Sequence, residues 1–309
     1  MATDLPAGVQ GAVDTALATV DELPESTDRG RGRGRDFDAP IGWRRAGRYL
    51  LLALVSFVVL FPIYTTVIAA FKPSDAFFDH PLLPGPFTFD VIVDAWTAGN
   101  LGRYLFNSLV VATIVTVFQV VSAVLAAYAF AFLRFPGRNL FFVLFIATLL
   151  VPLEATLVVN FDTVDGLGWS NSYLGLAAPF LATAFGVFLM RQVFMTLPRD
   201  LRDAAAIDGV GHFGFLWYVA VPLVRPTLGA LALFGFLGAW NQYLWPNLII
   251  NETEMNTVQS GLRVLSRSNL DQPNLVMAGT LVAAVPVVIV LLVFQRQLVR
   301  GLTAGAVKG

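Results

Sequence analysis

The region from Phe106 to Phe132 reads FNSLVVATIVTVFQVVSAVLAAYAFAF and contains no acidic or basic side chain. A helix needs about 20 predominantly apolar residues to cross the hydrocarbon core of a bilayer. A segment inside the bilayer must also satisfy its own backbone hydrogen bonds, so the run predicts a helix. This stretch indicates a membrane protein.

Five further apolar runs predict an all-α fold with six transmembrane helices. The runs do not alternate between polar and apolar residues, as the strands of a membrane β-barrel would. The composition agrees, since 13% of the 309 residues are charged against about 25% in soluble domains. Mean hydropathy is +0.70. The predicted spans cover Tyr49–Phe71, Phe106–Phe132, Leu140–Phe161, Tyr173–Met195, Thr227–Trp245 and Leu275–Val299.

The distribution of basic residues predicts the orientation of the spans. Of the 20 lysine and arginine residues, sixteen lie before the first span, around the second and fourth connections, or at the C-terminal end. Basic residues accumulate on the cytoplasmic side of membrane proteins. We therefore expect both termini in the cytoplasm. The long connection Lys72–Leu105 is then external, and we expect it to form an ordered cap.

The polar N-terminal segment 1–48 predicts a disordered cytoplasmic tail, followed by a transmembrane domain over 49–309. Within the tail, arginine alternates with glycine over Arg29–Arg35. Such a stretch can bind RNA or anionic lipid, but a topology signal in a solvated linker is the simpler interpretation. The net charge of −1 gives no general attraction to nucleic acid, so we expect no nucleic-acid partner.

The chain lacks the residues that most enzymes and metal sites require. It has no cysteine and two histidines, His80 and His212, which fall in different predicted compartments. No glycine-rich phosphate-binding loop precedes either lysine, so ATP cannot be bound in that way. Only the acid Glu154 lies clearly inside a predicted span, whereas ion-coupled carriers need more buried ionisable groups. We expect no cofactor and no catalysis. A stand-alone secondary transporter and a membrane anchor for an ATPase are the less favoured alternatives.

The connection after the fourth span predicts an amphipathic helix. We name the segment Leu197–Pro222, which begins LPRDLRDAAAIDG, the predicted coupling loop. Pro198 suits the start of a helix, and Gly209 suits the residue just beyond its end. One helix face is small at its centre, so another backbone can approach it closely. That face carries Leu201, Ala204, Ala205 and Asp208.

The same segment resembles a loop of the permease subunits of bacterial ATP-binding-cassette (ABC) importers. Their pattern is Glu-Ala-Ala, three residues, Gly, nine residues, Ile-x-Leu-Pro. Here Asp203-Ala204-Ala205 is followed at those spacings by Gly209 and by Val219-Ala220-Val221-Pro222, with three conservative replacements. The resemblance implies a coupling helix that sits in a groove of the ATPase. It assigns ATPase coupling to Asp203, Ala204, Ala205, Gly209 and Pro222.

Two further segments resemble the carbohydrate-uptake group of these importers, the maltose and glycerol-phosphate type. Trp240–Pro246 resembles the end of that group's fifth span, and Gln295–Gly309 resembles the end of its second, shorter permease. The resemblance implies a bacterial plasma-membrane protein that works with a second permease, an ATPase dimer and an external solute-binding protein. A sugar is the first expectation for the solute. Glycerol phosphate or a glycerophosphodiester is the alternative. A phosphate would favour arginines along the path, and Arg191 is the only arginine well inside a predicted span.

Four residues are candidates for the translocation path. Glu154 falls in the outer half of the third span, where it would line the path or pair with a neighbouring helix. Asn241 and Gln242, beside Trp240, offer the amides and aromatic faces that sugars need, but aromatic residues here are equally expected to anchor the membrane boundary. Gln119 and Asn160 are weaker candidates. For His212, packing is a simpler interpretation than pH sensing.

Overall fold

A computed structural model describes residues 43–80 and 82–303. The chain divides into two units, Met1–Val58 and Val59–Gly309. Most of the predicted tail lies outside the described residues. The first helix begins at Trp43, and the domain boundary after residue 48 stays a prediction.

The described residues fold into helices joined by turns, which confirms the all-α class. Three single turns of 3₁₀ helix lie between α-helices, and one π-helical turn lies within the predicted coupling loop. The α-helices are α1 Trp43–Ala70, α2 Ser74–Asp79, α3 Asp90–Ala98, α4 Leu101–Phe132, α5 Arg138–Ala147, α6 Leu153–Gly166, α7 Tyr173–Ala177, α8 Ala184–Phe194, α9 Arg199–Ile207, α10 His212–Phe215, α11 Val221–Leu223, α12 Arg225–Trp240, α13 Leu244–Ile249, α14 Val258–Ser268 and α15 Pro273–Thr303.

Three helices, α1, α4 and α15, are long and apolar enough to cross a membrane unbroken. Three bent pairs of helical segments bring the number of spans to as many as six. The third predicted span is two arms, α5 and α6, that meet at 102°, and α7 and α8 meet at 49°. Apolar composition predicts the length of a span but not a break within it. Pro152, which directly precedes α6, is the residue that marks the first break.

Helix α4 is the scaffold of the second unit, because it contributes to each of three apolar clusters. Tyr104 near its start packs with Trp240, and Val115 in its middle belongs to the cluster of Trp245. Tyr128 near its end lies in a cluster beneath the predicted coupling loop. Both tryptophans are buried, so anchoring at the membrane boundary is the wrong interpretation for them.

Two glycines allow neighbouring helices to approach α4 closely. A Cβ on Gly186 of α8 would lie 3.1 Å from the Cβ of Ala123, and one on Gly235 of α12 would lie 2.9 Å from Oε1 of Gln119. Small residues at such contacts are typical of helix packing in membranes. Helices α4, α8 and α12 therefore form one closely packed group.

The long connection Lys72–Leu105 is ordered as expected where it is described. It contains α2 and α3, and its lysine, Lys72, is buried. The Lys72 ammonium donates hydrogen bonds to the backbone carbonyls of His80 and Leu83. A buried charge requires such partners, so Lys72 holds this connection in a defined shape.

Candidate functional site

The predicted coupling loop begins with helix α9, whose two ends match the sequence prediction. Pro198 directly precedes the first residue, Arg199. At the other end Gly209 has a φ of +75°. The backbone N–H groups of Gly209 and Val210 donate to the carbonyls of Ala206 and Ala205 at 3.1 and 2.8 Å. This pair of bonds is the Schellman motif, which favours glycine at the left-handed position.

The orientation of α9 corrects the predicted docking face. Ala205 is only 9% exposed and packs into the cluster that contains Tyr128 and Phe215. Asp203 and Ala204 are exposed. The expected face therefore divides: Ala205 holds α9 against this chain, and Asp203 and Ala204 lie on its exposed side. Sequence spacing identified a small face, but neighbouring positions lie about 100° apart on a helix, and only packing decides which one turns inward.

Ile207 is a surface residue that the motif did not single out. Its side chain is 87% exposed, and helical spacing places it on the same side of α9 as Asp203 and Ala204. An apolar side chain this exposed next to an acidic one is suited to insertion into a partner's groove. Its position three residues after Ala204 was a usable signal in the sequence.

Polar contacts connect α9 to the end of α4. The Arg202 guanidinium donates a 2.9 Å hydrogen bond to the carbonyl of Phe132, the last residue of α4. His212 lies between two elements: Nδ1 is 3.0 Å from the Tyr128 hydroxyl, and Nε2 is 3.4 Å from an Arg202 guanidinium nitrogen. Because Arg202 is only a donor, its contact favours the tautomer in which Nε2 accepts and Nδ1–H donates to the Tyr128 oxygen. These contacts favour the packing interpretation of His212.

Pro222 lies at the end of the predicted coupling loop, just before α12. It is half-buried in α11, after a π-helical turn at Leu216–Ala220. Proline has no N–H to donate, and its ring displaces the carbonyl four residues earlier, which disturbs the regular ladder. The chain then bends by 84° at Val224 into α12. Pro222 therefore shapes the connection from α9 to α12.

A second candidate site is a cavity of about 340 Å³ between α4, α8 and α12. Its polar lining consists of Gln119, Thr183 and Gln242, and none of its lining residues is charged. The Gln119 amide nitrogen donates a 2.8 Å hydrogen bond to the Phe180 carbonyl, so the acceptor end of that amide stays available. The apolar lining is Val115, Phe180, Phe185, Leu231, Phe234, Gly235, Gly238 and Ala239.

The structure separates the candidates for the translocation path. Gln242 lines the cavity, and Gln119, a weaker candidate in the sequence, lies in it too. Trp240 does not line it: the side chain is 2% exposed and stacks on Phe236 at 5.5 Å. Asn241 is exposed and donates to the Leu237 carbonyl. Trp240 is therefore a packing residue, because the turn after α12 directs consecutive side chains to different sides.

Glu154 does not lie within a continuous span. It is exposed in the first turn of α6, just after the break at Pro152, and does not line the cavity. A carboxylate in a first helical turn is stabilised by the partial positive charge of the free N–H groups there. The structure therefore provides a local reason for an acid at this position.

Comparison with known families identifies the chain. The family described as "Binding-protein-dependent transport system inner membrane component" matches residues 119–304. The chain belongs to this family. The matched range contains the predicted coupling loop, all three bent pairs of helices and every residue that lines the cavity except Val115.

Curated relatives agree with this family assignment. The sn-glycerol-3-phosphate transport system permease protein UgpE of Yersinia pestis bv. Antiqua (strain Antiqua) is 39% identical over 264 residues, covering 82% of this chain and 94% of the relative. The protein with the same description from Shigella flexneri serotype 5b is 36% identical over 270 residues, covering 84% and 96%. This family member is therefore an inner-membrane permease subunit of an ABC importer, and not an enzyme.

Solved structures share the fold. A chain of a bacterial ABC transporter involved in the import of the acidic polysaccharide alginate superposes with a TM-score of 0.73 at 22% identity, covering 81% of this chain and 95% of that one. A chain from the alginate transporter in complex with its pentasaccharide-bound periplasmic protein gives a TM-score of 0.62 at 15% identity, covering 82% and 96%. Permeases of this family work with a second permease, an ATPase and a periplasmic binding protein.

Proposed function

We propose that this permease imports a hydroxyl-rich solute, a sugar in the first place, along a path that includes the cavity between α4, α8 and α12. The observation that carries the proposal is the uncharged lining of that cavity. Amides and a hydroxyl group can exchange hydrogen bonds with sugar hydroxyls. Aromatic faces such as those of Phe185 and Phe234 pack against the C–H faces of a sugar ring.

The size of the cavity agrees with this class of solute. Its volume of about 340 Å³ lies at the lower end of the roughly 300–1,000 Å³ common for small-molecule sites. The second permease completes the path, so the cavity described for this chain is one wall of a larger chamber.

Glycerol phosphate or a glycerophosphodiester is the second candidate, and the relatives named for sn-glycerol-3-phosphate favour it. A phosphate group usually requires arginine or a comparable donor. This chain places no cation in the cavity lining. For such a solute, the second permease would have to bind the phosphate while this chain binds the glycerol hydroxyls.

We propose that α9 couples this permease to the ATPase through the exposed side chains of Asp203, Ala204 and Ile207. The other three residues of the motif shape the segment itself. Ala205 packs α9 against this chain, Gly209 ends the helix, and Pro222 redirects the chain towards α12. When ATP closes the ATPase dimer, the displaced α9 pulls on two connections. One runs through Arg202 and His212 to α4, and the other through Pro222 to α12. Both helices line the cavity, so movement of α9 changes the shape of the solute path.

We propose that both termini and the predicted coupling loop are cytoplasmic. The basic residues support this orientation, and an ATPase that uses cellular ATP requires it. In this cysteine-free chain, a cysteine introduced by Thr88→Cys should react with an impermeant thiol reagent in intact cells. One introduced by Ser26→Cys should not. Labelling of the Ser26→Cys variant alone would contradict the proposed orientation and indicate the opposite one.

Uptake by the complete importer tests the solute class. Cells that express every subunit should accumulate a labelled neutral sugar, and Gln242→Leu should raise KM about five- to tenfold, the usual effect of losing one hydrogen bond. Asn241→Leu, an amide change one residue away but outside the cavity, should leave KM within about twofold of wild type. Uptake of sn-glycerol-3-phosphate without any sugar would favour the second candidate. An unchanged KM in Gln242→Leu would contradict the proposal that the cavity is part of the solute path.

A further inference from the structure

A second, larger cleft lies at the end of the molecule that carries the predicted coupling loop. It has a volume of about 800 Å³ and opens between the end of α4, the start of α5 and helix α9. Its lining contains four arginines but one acidic residue, Asp203. The four are Arg134, Arg138, Arg199 and Arg202. We name this feature the arginine cleft.

The four guanidinium groups are not equivalent. Arg202 and Arg138 donate hydrogen bonds to the carbonyls of Phe132 and Leu133, at 2.9 and 3.2 Å, and so stabilise the end of α4. Arg134 and Arg199 are exposed. Within residues 43–80 and 82–303, the side chain of neither residue makes a hydrogen bond or an ion pair. The arginine cleft therefore has an excess of positive charge with free donors.

The position of the arginine cleft points to the membrane surface. Helix α4 is a membrane span that ends at Phe132, and α5 starts the next span at Arg138. Leu140, on the rim of the cleft, is 62% exposed, and Phe135 is 36% exposed. Apolar side chains that are exposed at a span end face acyl chains, and the charged groups beside them lie at the level of lipid headgroups.

We propose that the arginine cleft binds the phosphate of an anionic phospholipid such as phosphatidylglycerol. Arg134 and Arg199 supply the free donors, and arginine matches phosphate geometry because its planar group can donate two parallel hydrogen bonds. Leu140 and Phe135 contact the upper part of the acyl chains. Basic pockets between transmembrane helices are suited to anionic headgroups in this way.

A phosphate held between Arg134 and Arg199 would add a second link between two elements that Arg202 already connects through the carbonyl of Phe132. Arg134 lies in the turn between α4 and α5, whereas Arg199 begins α9. The bound lipid thus braces the predicted coupling loop against the start of the third span. An anionic lipid becomes part of the mechanical connection between the ATPase and the spans.

The test measures lipid retained by the complete importer, purified with its partner permease and ATPase. Detergent extracts from membranes that contain equal phosphatidylglycerol and phosphatidylcholine are washed until the lipid content is constant, and both lipids are quantified by mass spectrometry. Wild type should retain an excess of phosphatidylglycerol. The double variant Arg134→Gln with Arg199→Gln should lose that excess. The ratio of retained phosphatidylglycerol to phosphatidylcholine should fall by roughly fivefold for each arginine removed. Neither side chain supports the fold through a hydrogen bond.

A matched control has the same charge change at the opposite ends of the spans. Arg103 and Arg267 are also exposed, and Arg103→Gln with Arg267→Gln should keep the wild-type lipid ratio. Equal ratios in all three proteins would overturn the proposal. So would an unchanged ratio together with loss of the ATPase from the arginine-cleft variant, which would assign the arginines to ATPase docking.

A soluble phosphate ester is the other source of the same chemistry. The importer in nanodiscs made only of phosphatidylcholine should not bind sn-glycerol-3-phosphate in a manner that depends on Arg134 and Arg199. If such binding were found and the importer showed no preference for phosphatidylglycerol, the cleft would be assigned to a soluble phosphate ester and the proposal would be overturned. The outcome is independent of the solute identity, because lipid retention is measured without uptake.

Discussion

The predicted coupling loop and the cavity between α4, α8 and α12 use opposite kinds of side chains. Helix α9 presents exposed acids and the 87% exposed Ile207, whereas the cavity presents amides, a hydroxyl and aromatic rings without a charge. The difference fits the tasks that we propose for the two regions. A docking surface gains by offering groups to a partner, while a solute path must bind weakly enough to release its cargo.

The two regions are joined by α4 and by the turn at Pro222. Damage to α9 should therefore stop transport without altering solute affinity, and damage to the cavity should alter affinity without releasing the ATPase. Three sets of variants sharpen this contrast, beginning with the largest expected effect.

Gly209→Val should abolish uptake. The left-handed backbone at φ +75° costs a residue with a Cβ about 1–2 kcal/mol, and a β-branched residue is still less suited to it. The Schellman motif should open and α9 should lose its defined end. Uptake, ATPase co-purification and membrane abundance are measured together, and abundance should stay normal.

Gly211→Val is the matched control for that variant. Gly211 has an ordinary φ of −69°, and no atom lies within 4 Å of an added Cβ. Uptake should remain near wild type. Equal loss of uptake in both variants would show that the backbone conformation of Gly209 is not the cause.

Substitutions at Ala204 and Ala205 distinguish docking from seating. Ala205→Trp must overpack the cluster beneath α9, which typically costs about 1–3 kcal/mol, and should lower the Tm of the purified permease pair. Ala204→Trp adds the same side chain to an exposed position. It should leave that Tm unchanged but release the ATPase. A similar fall in Tm for both variants would contradict the assignment of inner and outer faces.

Glu154→Gln should have the smallest effect. Loss of the charge removes a favourable interaction with the start of α6, about 0.3–1 kcal/mol. The expected result is a small fall in Tm and a change in uptake of less than about twofold. Asp162→Asn, further along the same helix, should not lower Tm. Loss of uptake with normal assembly in Glu154→Gln would contradict this expectation and support a role for Glu154 in the translocation path.

The sequence predicted the elements that depend on local patterns. Apolar run length predicted the spans, and the proline and glycine around α9 predicted where that helix starts and ends. The break at Pro152, the burial of Ala205 and the burial of Trp240 were not predicted. Each depends on how a helix is rotated or bent against its neighbours, and composition and spacing do not carry that information. Gln242 was identified from its chemistry, but its separation from Trp240 and Asn241 required the structure.

Cross-linking from Ile207 tests the central claim most directly. The chain has no cysteine, so Ile207→Cys can be labelled with a photoreactive benzophenone in an importer whose other subunits also lack cysteine. Leu270→Cys, at a position 80% exposed just before α15, is the control at the opposite end of the spans. Illumination should join position 207, and not position 270, to the ATPase. Cross-linking of position 270 alone, in an importer that still transports, would contradict the coupling role of α9.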